Sequence, residues 1–357
     1  MDFPDHNTRD IEPIARWLRC EAPRELNRLW DHADQVRRES VGDEIFLRGI
    51  IEISNICRRD CLYCGINVNV GGLTRYTMTA DEIVNSISNF ADDDIHTVVL
   101  QAGESAHITH QWVAELVGRI ASETGLTITL SLGEWRDEIY REWLDAGATR
   151  YLLKLETSNP ELFARVHPSR KDGWAQRLGA IKRLSKLGYE VGSGGMIGLP
   201  GQTYTVLARD ILMFRELDID MIGVGPFVPH PATVLGARLG EFLAPVDQVS
   251  PSDLMTLKTL ALIRLICPLA NIPSTTALAT VNPLQGRELA LRRGANVIMP
   301  DFTPLKYKTL YDIYPRQAGT ATDQAMVMQP VRDVVAKVGR SIGKGKGVSL
   351  NFSRRNG

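Results

Sequence analysis

Three cysteines lie within eight residues of one another, in the run CRRDCLYC that spans Cys57, Cys61 and Cys64. This C-x3-C-x2-C spacing places three thiolates on one short loop, where they can hold three irons of a cubane iron–sulfur cluster. Ferredoxin cubanes use four thiolates, so three leave the fourth iron open to another ligand. The alternatives are a zinc site, for which no second C-x2-C or H-x3-H pattern follows, and unrelated structural cysteines.

The composition is that of an ordinary globular protein, with 357 residues, 44% of them hydrophobic and 23% charged. A formal net charge of -1 gives no basic field for nucleic acid. The N-terminus lacks the pattern of a signal peptide, and the most apolar stretch, 257–272, is interrupted by charges and a proline. We therefore expect a cytoplasmic protein that binds neither membrane nor nucleic acid. In that compartment clustered cysteines favour a metal site, and the isolated Cys20 and Cys267 are expected to be inert.

Apolar runs bounded by turns alternate with helical patterns along the chain, and they predict eight buried strands. The predicted strands are 45–54, 96–101, 127–132, 150–155, 191–197, 221–228, 273–280 and 295–299. This alternation favours an α/β fold, a (β/α)8 TIM-type barrel, over a doubly wound open sheet. We expect an N-terminal helical segment over 1–40, the barrel over 41–315 and a short C-terminal extension over 316–357.

The residues that could carry chemistry follow predicted strands, at the face where such barrels have their active sites. The cysteine motif follows the first strand, and Gly103 and Glu104 follow the second. Glu156 ends the fourth strand, where a carboxylate favours a function because core positions reject charge. Glycines around the fifth strand, among them Gly198, would let the backbone approach a ligand.

The cysteine motif and its position resemble those of the radical SAM superfamily, in which S-adenosylmethionine (SAM) chelates the open iron of a 4Fe-4S cluster. One-electron reduction then cleaves SAM to a 5′-deoxyadenosyl radical. The resemblance implies one 4Fe-4S cluster held by the three cysteines, with Tyr63 against adenine. Gly103 and Glu104 would belong to a Gly-Gly-Glu-like element at the SAM amino group, although Ala102 replaces the first glycine.

From about Val41 to Pro315 the chain also resembles the HydE family, the radical SAM maturases of FeFe-hydrogenase. The resemblance rests on long runs of residues, whose letters are VGDE at 41–44, DCLYCG at 60–65, SLGEW at 131–135, GLPGQ at 198–202, GPFVPHP at 225–231, NIP at 271–273, TTA at 275–277 and GANVIMP at 294–300. These runs are far more specific than the cysteine motif alone.

The family resemblance implies roles for matching positions. Glu156 would contact the SAM ribose and Arg177 the SAM carboxylate. The residues that would line the substrate cavity above SAM are Thr275, Thr276 and Met299. Tyr311 and Tyr314 would lie near that cavity, as catalytic residues if they are not an i, i+3 core pair.

Two positions depart from the family pattern. No cysteine follows Cys267, so a second, C-terminal cluster found in many relatives has no ligands here. Lys154 stands where some relatives carry arginine, which keeps the charge but loses the bidentate fork. Because no carboxylate occurs among the predicted cavity residues, we expect a neutral or anionic substrate.

The resemblance implies a step in building the diiron subcluster of hydrogenase, on a small iron–cysteine complex or another small molecule. Its implied partners are an electron donor such as flavodoxin or ferredoxin and other hydrogenase maturases. An amino-acid mutase of the methylornithine synthase type shares the barrel and the motif. An iron–sulfur carrier without radical chemistry is a third reading, which the SAM-contact positions disfavour.

The cysteine spacing predicts which thiols hold the cluster. Changing Cys57, Cys61 or Cys64 to Ala should abolish the cubane absorption and SAM cleavage after anaerobic reconstitution, which should load about four irons per chain. Cys20→Ala and Cys267→Ala are the controls, and both should keep full iron content. Stoichiometric zinc without a cubane spectrum would contradict the assignment.

Overall fold

The computed structural model of the chain describes residues 1–90, 94–170, 172–242, 247–313, 315 and 324–356. The strands are β1 (Glu44–Ser54), β2 (Ile95–Ala102), β3 (Thr127–Ser131), β4 (Arg150–Leu152), β5 (Glu190–Ile197), β6 (Met221–Pro226), β7 (Pro273–Ser274), β8 (Val297–Ile298) and β9 (Ser341–Ile342). The helices are α1 (Glu12–Arg19), α2 (Pro23–Val41), α3 (Ala80–Ser88), α4 (His110–Thr124), α5 (Asp137–Asp145), α6 (Pro160–Val166), α7 (Gly173–Leu187), α8 (Tyr204–Glu216), α9 (Val234–Ala237), α10 (Asp253–Ile266), α11 (Thr276–Val281), α12 (Gly286–Leu291), α13 (Leu305–Lys308), α14 (Gln324–Lys337) and α15 (Leu350–Asn356), with a 3-10 turn at Leu239–Glu241.

The strands β1 to β8 form a parallel barrel, which confirms the predicted (β/α)8 fold. The order along the sheet is β6-β5-β4-β3-β2-β1-β8-β7. Its two ends meet through a parallel bridge between Met221 and Asn271, where the Ile222 amide donates to the Asn271 carbonyl at 2.9 Å. All eight carboxyl ends therefore lie at one rim, which is where ligands bind in such barrels.

Local sequence signals explain where several helices begin and end. Thr79 and Glu82 form a capping box at the start of α3, and Asn159 caps α6 ahead of a proline. Gly188 ends α7 in the left-handed conformation. The pair Ser250-Pro251 has the pattern of a cap and a first helical residue, but a helix start predicted there is wrong by two residues, because the Ser252 side chain accepts from the Met255 amide and begins α10.

The predicted strand over 273–280 is also wrong for most of its length. Only Pro273–Ser274 is a strand, and α11 follows at once. The Thr275 side chain accepts a hydrogen bond from the Leu278 amide and so begins the helix. A short apolar run fits a buried helix as well as a buried strand, so periodicity could not separate the two.

The amino-terminal end of the barrel is filled by buried charges. Arg150 contacts Glu190 at 2.5 Å and Arg48 lies 3.7 Å from the same carboxylate. The C-terminal segment covers this end, because the Arg48 guanidinium donates to the Gly347 carbonyl and the Ser349 amide donates to Glu190. The strand β9 continues the closure by pairing with β1.

The N-terminal helices lie on the outside of the barrel, where α1 packs on α8 and α2 packs on α10. The Lys258 ammonium donates to the Leu18 carbonyl at 2.9 Å and links α10 to α1. Among the described residues, no helix has the length and apolar character needed to cross a membrane.

The buried charges generate a stability prediction. Glu190→Gln should lower the free energy of unfolding by roughly 3–5 kcal/mol, since two buried guanidinium groups lose their anionic partner. Glu216→Gln is the control, because its bond to Arg209 is well exposed and should contribute less than about 1 kcal/mol. Urea denaturation of both variants measures the difference, and equal losses would contradict the prediction.

Candidate functional site

A cavity of about 360 Å³ opens at the carboxyl-terminal rim of the barrel. The sequence-predicted site residues that line it are Cys57, Cys61, Tyr63, Cys64, Gly103, Glu104, Lys154, Glu156, Arg177, Thr275, Thr276, Met299 and Tyr311. They come from segments up to about 250 residues apart in the chain. The barrel brings them to one cavity because every segment follows a parallel strand.

The loop that carries the cysteines is held by hydrogen bonds to the segments that follow β4, β6 and β8. The Leu62 amide donates to Val166 at 2.9 Å, the Leu235 amide donates to Leu62 at 3.1 Å and the Gly65 amide donates to Ile313 at 3.1 Å. The second strand also approaches closely, since a Cβ on Gly103 would lie 2.5 Å from the Ile56 carbonyl oxygen. A side chain at Gly103 would therefore displace the loop.

The three thiols are half-buried and unbridged. Burial raises the pKa of Cys61 to about 12 and raises that of Cys64 further above its usual range. A thiol in such surroundings ionises when a cation supplies the charge, which is the chemistry of iron ligation. Within the described part of the chain, no three His, Cys, Asp or Glu side chains are close enough to hold a single metal ion.

Glu156 is the most unusual residue of the rim. Its backbone has φ +72°, which non-glycine residues rarely adopt, and it pairs with Gly195 of β5. Its buried Oε2 has no hydrogen-bond partner. Burial raises the pKa of this carboxyl, against the opposing effects of Lys154 and Arg177. An unpaired carboxylate oxygen facing a cavity can accept a hydrogen bond from a ligand hydroxyl.

Arg177 is held in place by a buried carboxylate. Its Nε donates to Glu134 and its Nη1 donates to the Lys154 carbonyl at 2.6 Å. Arg170 contacts both oxygens of Glu134, at 2.5 and 2.8 Å. Burial alone would raise the pKa of Glu134, but the two guanidinium groups outweigh it and lower the value to about 2. Together, the two guanidinium groups and the one carboxylate leave a net positive charge next to the cavity.

Glu104 lines the cavity but is engaged by the cysteine loop. Its Oε1 accepts from Arg58 at 2.6 Å and from Arg59, and its backbone carbonyl accepts from the Arg58 amide at 2.8 Å. Its Oε2 receives only a long contact of 3.4 Å from the Glu134 amide. Glu104 therefore joins the end of β2 to the residues between Cys57 and Cys61, and Oε2 is the oxygen with spare accepting capacity.

Tyr63 lies between two thiols and contacts a buried histidine. Its hydroxyl is 3.0 Å from His167 Nε2, and His167 Nδ1 is 2.8 Å from the Phe163 carbonyl. Burial lowers the pKa of His167 to about 3, so the ring is neutral. Nδ1 therefore donates to the carbonyl, and the Tyr63 hydroxyl donates to Nε2. This contact fixes the orientation of the aromatic ring at the cavity wall.

The predicted substrate residues also line the cavity. Thr275 is partly committed to structure, because its hydroxyl donates to the Val224 carbonyl at 3.0 Å. The Tyr311 hydroxyl accepts from Gln101 at 3.1 Å, and burial raises the pKa of this tyrosine well above its usual range. Thr276, Met299 and Lys154 also face the cavity.

Two carboxylates that line the cavity were absent from the predicted set. Glu52 and Asp301 line the cavity, and Asp301 is ion-paired with Lys308 at 3.3 Å. The expectation of a cavity wall without carboxylates was therefore wrong. It failed because both residues follow or end strands whose inward face could not be assigned before the barrel was closed.

One predicted position among the described residues does not line the cavity. Gly198 lies behind the rim at φ +83°, where a Cβ would be 2.4 Å from the Pro251 nitrogen, so glycine is needed for packing of that turn. Tyr314 lies outside the described residues.

Comparison with known proteins now defines the family. Residues 51–211 match the model of the Radical SAM superfamily. The "[FeFe] hydrogenase maturase subunit HydE" of Thermotoga maritima is 42% identical over 317 residues, which cover 88% of this chain and 87% of that protein. This chain belongs to the HydE family of radical SAM enzymes. A 3-methylornithine synthase of Methanosarcina acetivorans is 26% identical over 84% of this chain and 83% of its own length.

Solved structures support the same fold. Methylornithine synthase (PylB) superposes with a TM-score of 0.80 at 24% identity and covers 94% of both chains. The FeFe-hydrogenase maturase HydG from Carboxydothermus hydrogenoformans gives a TM-score of 0.77 at 21% identity, covering 93% of this chain and 75% of that one. At these sequence identities the similarity shows that the barrel fold is shared, and nothing more.

Membership of the HydE family implies a 4Fe-4S cluster and SAM, and the cavity suits both. Three thiols of the kind that bind iron line it together, and the orphaned oxygen of Glu156 is an acceptor that a polar ligand could use.

Several residues of this site were missed by sequence reasoning. They are Glu134, His167, Arg170, Gln101, Glu52 and Asp301. Glu134 stood inside the run 131–135 that carried the family resemblance, and Gln101 ends the second predicted strand; these were the available signals. Arg170 and His167 had none, because their partners lie 36 and 104 residues away.

The Glu134 ion pairs generate a pH prediction. Because the folded-state pKa is depressed to about 2, the carboxylate stabilises the fold at pH values above its unfolded pKa, and this contribution is lost as the pH falls through the folded value. Glu134→Gln should cost on the order of 3 kcal/mol at pH 7. In metal-free protein, the gap in the free energy of urea unfolding between wild type and Glu134→Gln should be constant above about pH 5 and shrink below it. A gap independent of pH would contradict this assignment.

Proposed function

We propose that this chain is a maturase of FeFe-hydrogenase that uses radical SAM chemistry to help build the diiron subcluster. The observation that carries the proposal is the 42% identity to a curated HydE over 88% of the chain. The cavity supports it, because three thiols, an unpaired carboxylate oxygen and an arginine meet there in one enclosed space.

In this proposal Cys57, Cys61 and Cys64 hold one 4Fe-4S cluster, and the reaction does not require a second, C-terminal cluster. When bound and reduced, the cluster supplies the electron that cleaves SAM to a 5′-deoxyadenosyl radical. The chain's own contribution is to bind, to orient and to keep water out. The cysteine loop would bind the cluster, and its hydrogen bonds to the segments that follow β4, β6 and β8 hold the loop in place.

The SAM contacts are assigned by chemistry and position. Glu156 Oε2 would accept from the ribose hydroxyls, and Arg177 would hold the SAM carboxylate beside its partner Glu134. Tyr63 would lie against the adenine, and Glu104 Oε2 would meet the amino group. Gly103 would allow close backbone approach, whereas Gly198 would act only by shaping the turn behind the rim.

The substrate would occupy the space between SAM and the wall that carries Thr275, Thr276 and Met299. We propose a small iron–cysteine complex bearing CO and cyanide, or another small molecule. Lys154 would attract its negative charge. Tyr311, oriented by Gln101, would be the catalytic residue of this wall, together with Tyr314.

The proposed partners follow from the reaction. Cleavage of SAM needs an electron donor such as flavodoxin or ferredoxin, and subcluster assembly needs the other hydrogenase maturases. A reducing cytoplasm would keep the three thiols free to bind iron.

An amino-acid mutase of the methylornithine synthase type is the second candidate. The specific observation in its favour is that Glu52 and Asp301 line the cavity, because a buried ammonium group needs anionic partners. Identity to a curated mutase is 26%, against 42% to HydE.

Two substitutions test the SAM contacts. Glu156→Gln and Arg177→Ala should each weaken SAM binding about ten- to a hundredfold, because each removes a charge-assisted bond of roughly 1.5–3 kcal/mol. Iron content and the cubane spectrum should stay unchanged. Equilibrium dialysis of anaerobically reconstituted protein measures the affinity, and wild-type affinity in both variants would remove these residues from the site.

Complementation tests the biological function. The gene should restore hydrogen evolution to a host that has FeFe-hydrogenase and its other maturases but lacks HydE. The Cys61→Ala variant is the negative control. Incubation of the reconstituted enzyme with lysine should yield no methylornithine. Inactive hydrogenase despite a SAM-cleaving protein, or formation of methylornithine, would reject the maturase assignment.

A further inference from the structure

The strained backbone at Glu156 must be held by its surroundings, since residues with positive φ persist only when neighbouring contacts fix them. The residues after it, Thr157 and Ser158, enter a turn that leads to the cap of α6. A buried carboxylate on α8, that of Asp210, lies directly behind this turn and has no role in the chemistry described above.

Asp210 contacts the turn through one oxygen. Its Oδ1 accepts from the Ser158 amide at 2.5 Å and from the Thr157 hydroxyl at 3.2 Å. The same hydroxyl accepts from the Asn159 amide at 3.2 Å. Thr157 and Ser158 therefore bond directly to one carboxylate oxygen, and Asn159 is linked to that oxygen through the Thr157 hydroxyl.

The other oxygen reaches the neighbouring strand end. Asp210 Oδ2 accepts from the Gln202 side-chain amide at 2.9 Å. That amide also donates to the Met196 carbonyl at 3.1 Å, and its oxygen accepts from the Gly198 amide at 2.6 Å. Met196 lines the cavity, and its own amide donates to the Glu156 carbonyl at 3.3 Å. The two strand ends thus share one hydrogen-bond network.

We propose that Asp210 is a positioning residue for SAM binding, which joins the ends of β4 and β5 and holds Glu156 in its strained, cavity-facing conformation. This inference rests on the proposed role of Glu156 in binding SAM. Asp210 does not touch the cavity, so its effect on SAM would pass entirely through the two turns.

The network requires a carboxylate and not merely a polar side chain. The Gln202 oxygen is occupied by the Gly198 amide, so its nitrogen must be the atom that faces Asp210. The Ser158 amide on the other side is also a donor. Only a group that accepts on both sides satisfies both contacts, whereas an asparagine would direct its own N–H₂ at one of the donors.

Asp220 provides a matched control. It is also buried, and burial raises the pKa of both aspartates to about 6. Its oxygens accept from the Val191 amide at 2.8 Å and from Arg355 at 2.7 Å, at the opposite end of the barrel. Loss of its charge should therefore affect stability without affecting the SAM rim.

The experiment compares reconstituted wild type with the Asp210→Asn, Asp220→Asn and Glu156→Gln variants. SAM dissociation constants come from equilibrium dialysis, melting temperatures from circular dichroism and the protection of residues 156–159 from hydrogen-exchange mass spectrometry without SAM. Asp210→Asn should weaken SAM binding about tenfold and accelerate exchange over 156–159, with iron content unchanged. Asp220→Asn should lower the melting temperature but leave both SAM affinity and that exchange at wild-type values.

The outcomes separate this inference from the proposed function. If Glu156→Gln leaves SAM affinity unchanged, the proposed SAM site itself fails. If Glu156→Gln weakens binding while Asp210→Asn changes only the melting temperature, as Asp220→Asn does, Asp210 is structural and the inference is overturned.

A milder variant keeps the test decisive if Asp210→Asn does not fold. Thr157→Val preserves the shape of the side chain and removes one bond to Asp210. It should weaken SAM binding two- to threefold and accelerate exchange over 156–159. Wild-type affinity and exchange in Thr157→Val would then overturn the inference.

Discussion

Every feature of the site depends on the closure of eight parallel strands. Parallel strands in one sheet must all point the same way, so their carboxyl ends and the loops that follow them share one rim. Closure through the bridge between Met221 and Asn271 turns that rim into the wall of a cavity. The cysteine loop, Glu156, Arg177 and Tyr311 meet for this reason, although no local interaction in the chain brings them together.

The interior charges are arranged differently at the two ends of the barrel. At the amino-terminal end, Arg48 and Arg150 converge on Glu190 under the C-terminal segment, which closes the barrel, and each arginine keeps one buried nitrogen without a hydrogen-bond partner. At the rim, Glu134 serves Arg170 and Arg177, while Glu156 keeps a buried oxygen without a partner. Burying an unsatisfied carboxylate oxygen is costly, so its retention beside a cavity indicates a ligand that completes it.

The elements and the site differed in how far they could be predicted. The apolar runs predicted eight strands and the barrel, because buried parallel strands are continuous and hydrophobic. They did not predict that the run after Pro273 becomes a helix, which depends on the cap that Thr275 makes with Leu278. Likewise, the sequence marked Glu104 as a rim carboxylate but gave no sign that Arg58 and Arg59 would engage it.

By itself the sequence determined which three thiols of this protein lie together. Three thiols at fixed spacing must share a loop, and a loop after a strand must lie at the rim, so Cys57, Cys61 and Cys64 required no coordinates. Only the tertiary structure decided which charges meet, because a contact such as that of Arg170 with Glu134 joins two different βα units. The left-handed backbone of Glu156 and the cavity-facing side chains of Glu52 and Asp301 were decided there too. The direction in which a side chain on a strand or turn points depends on packing against residues that are distant in the chain, so no local sequence pattern predicts it.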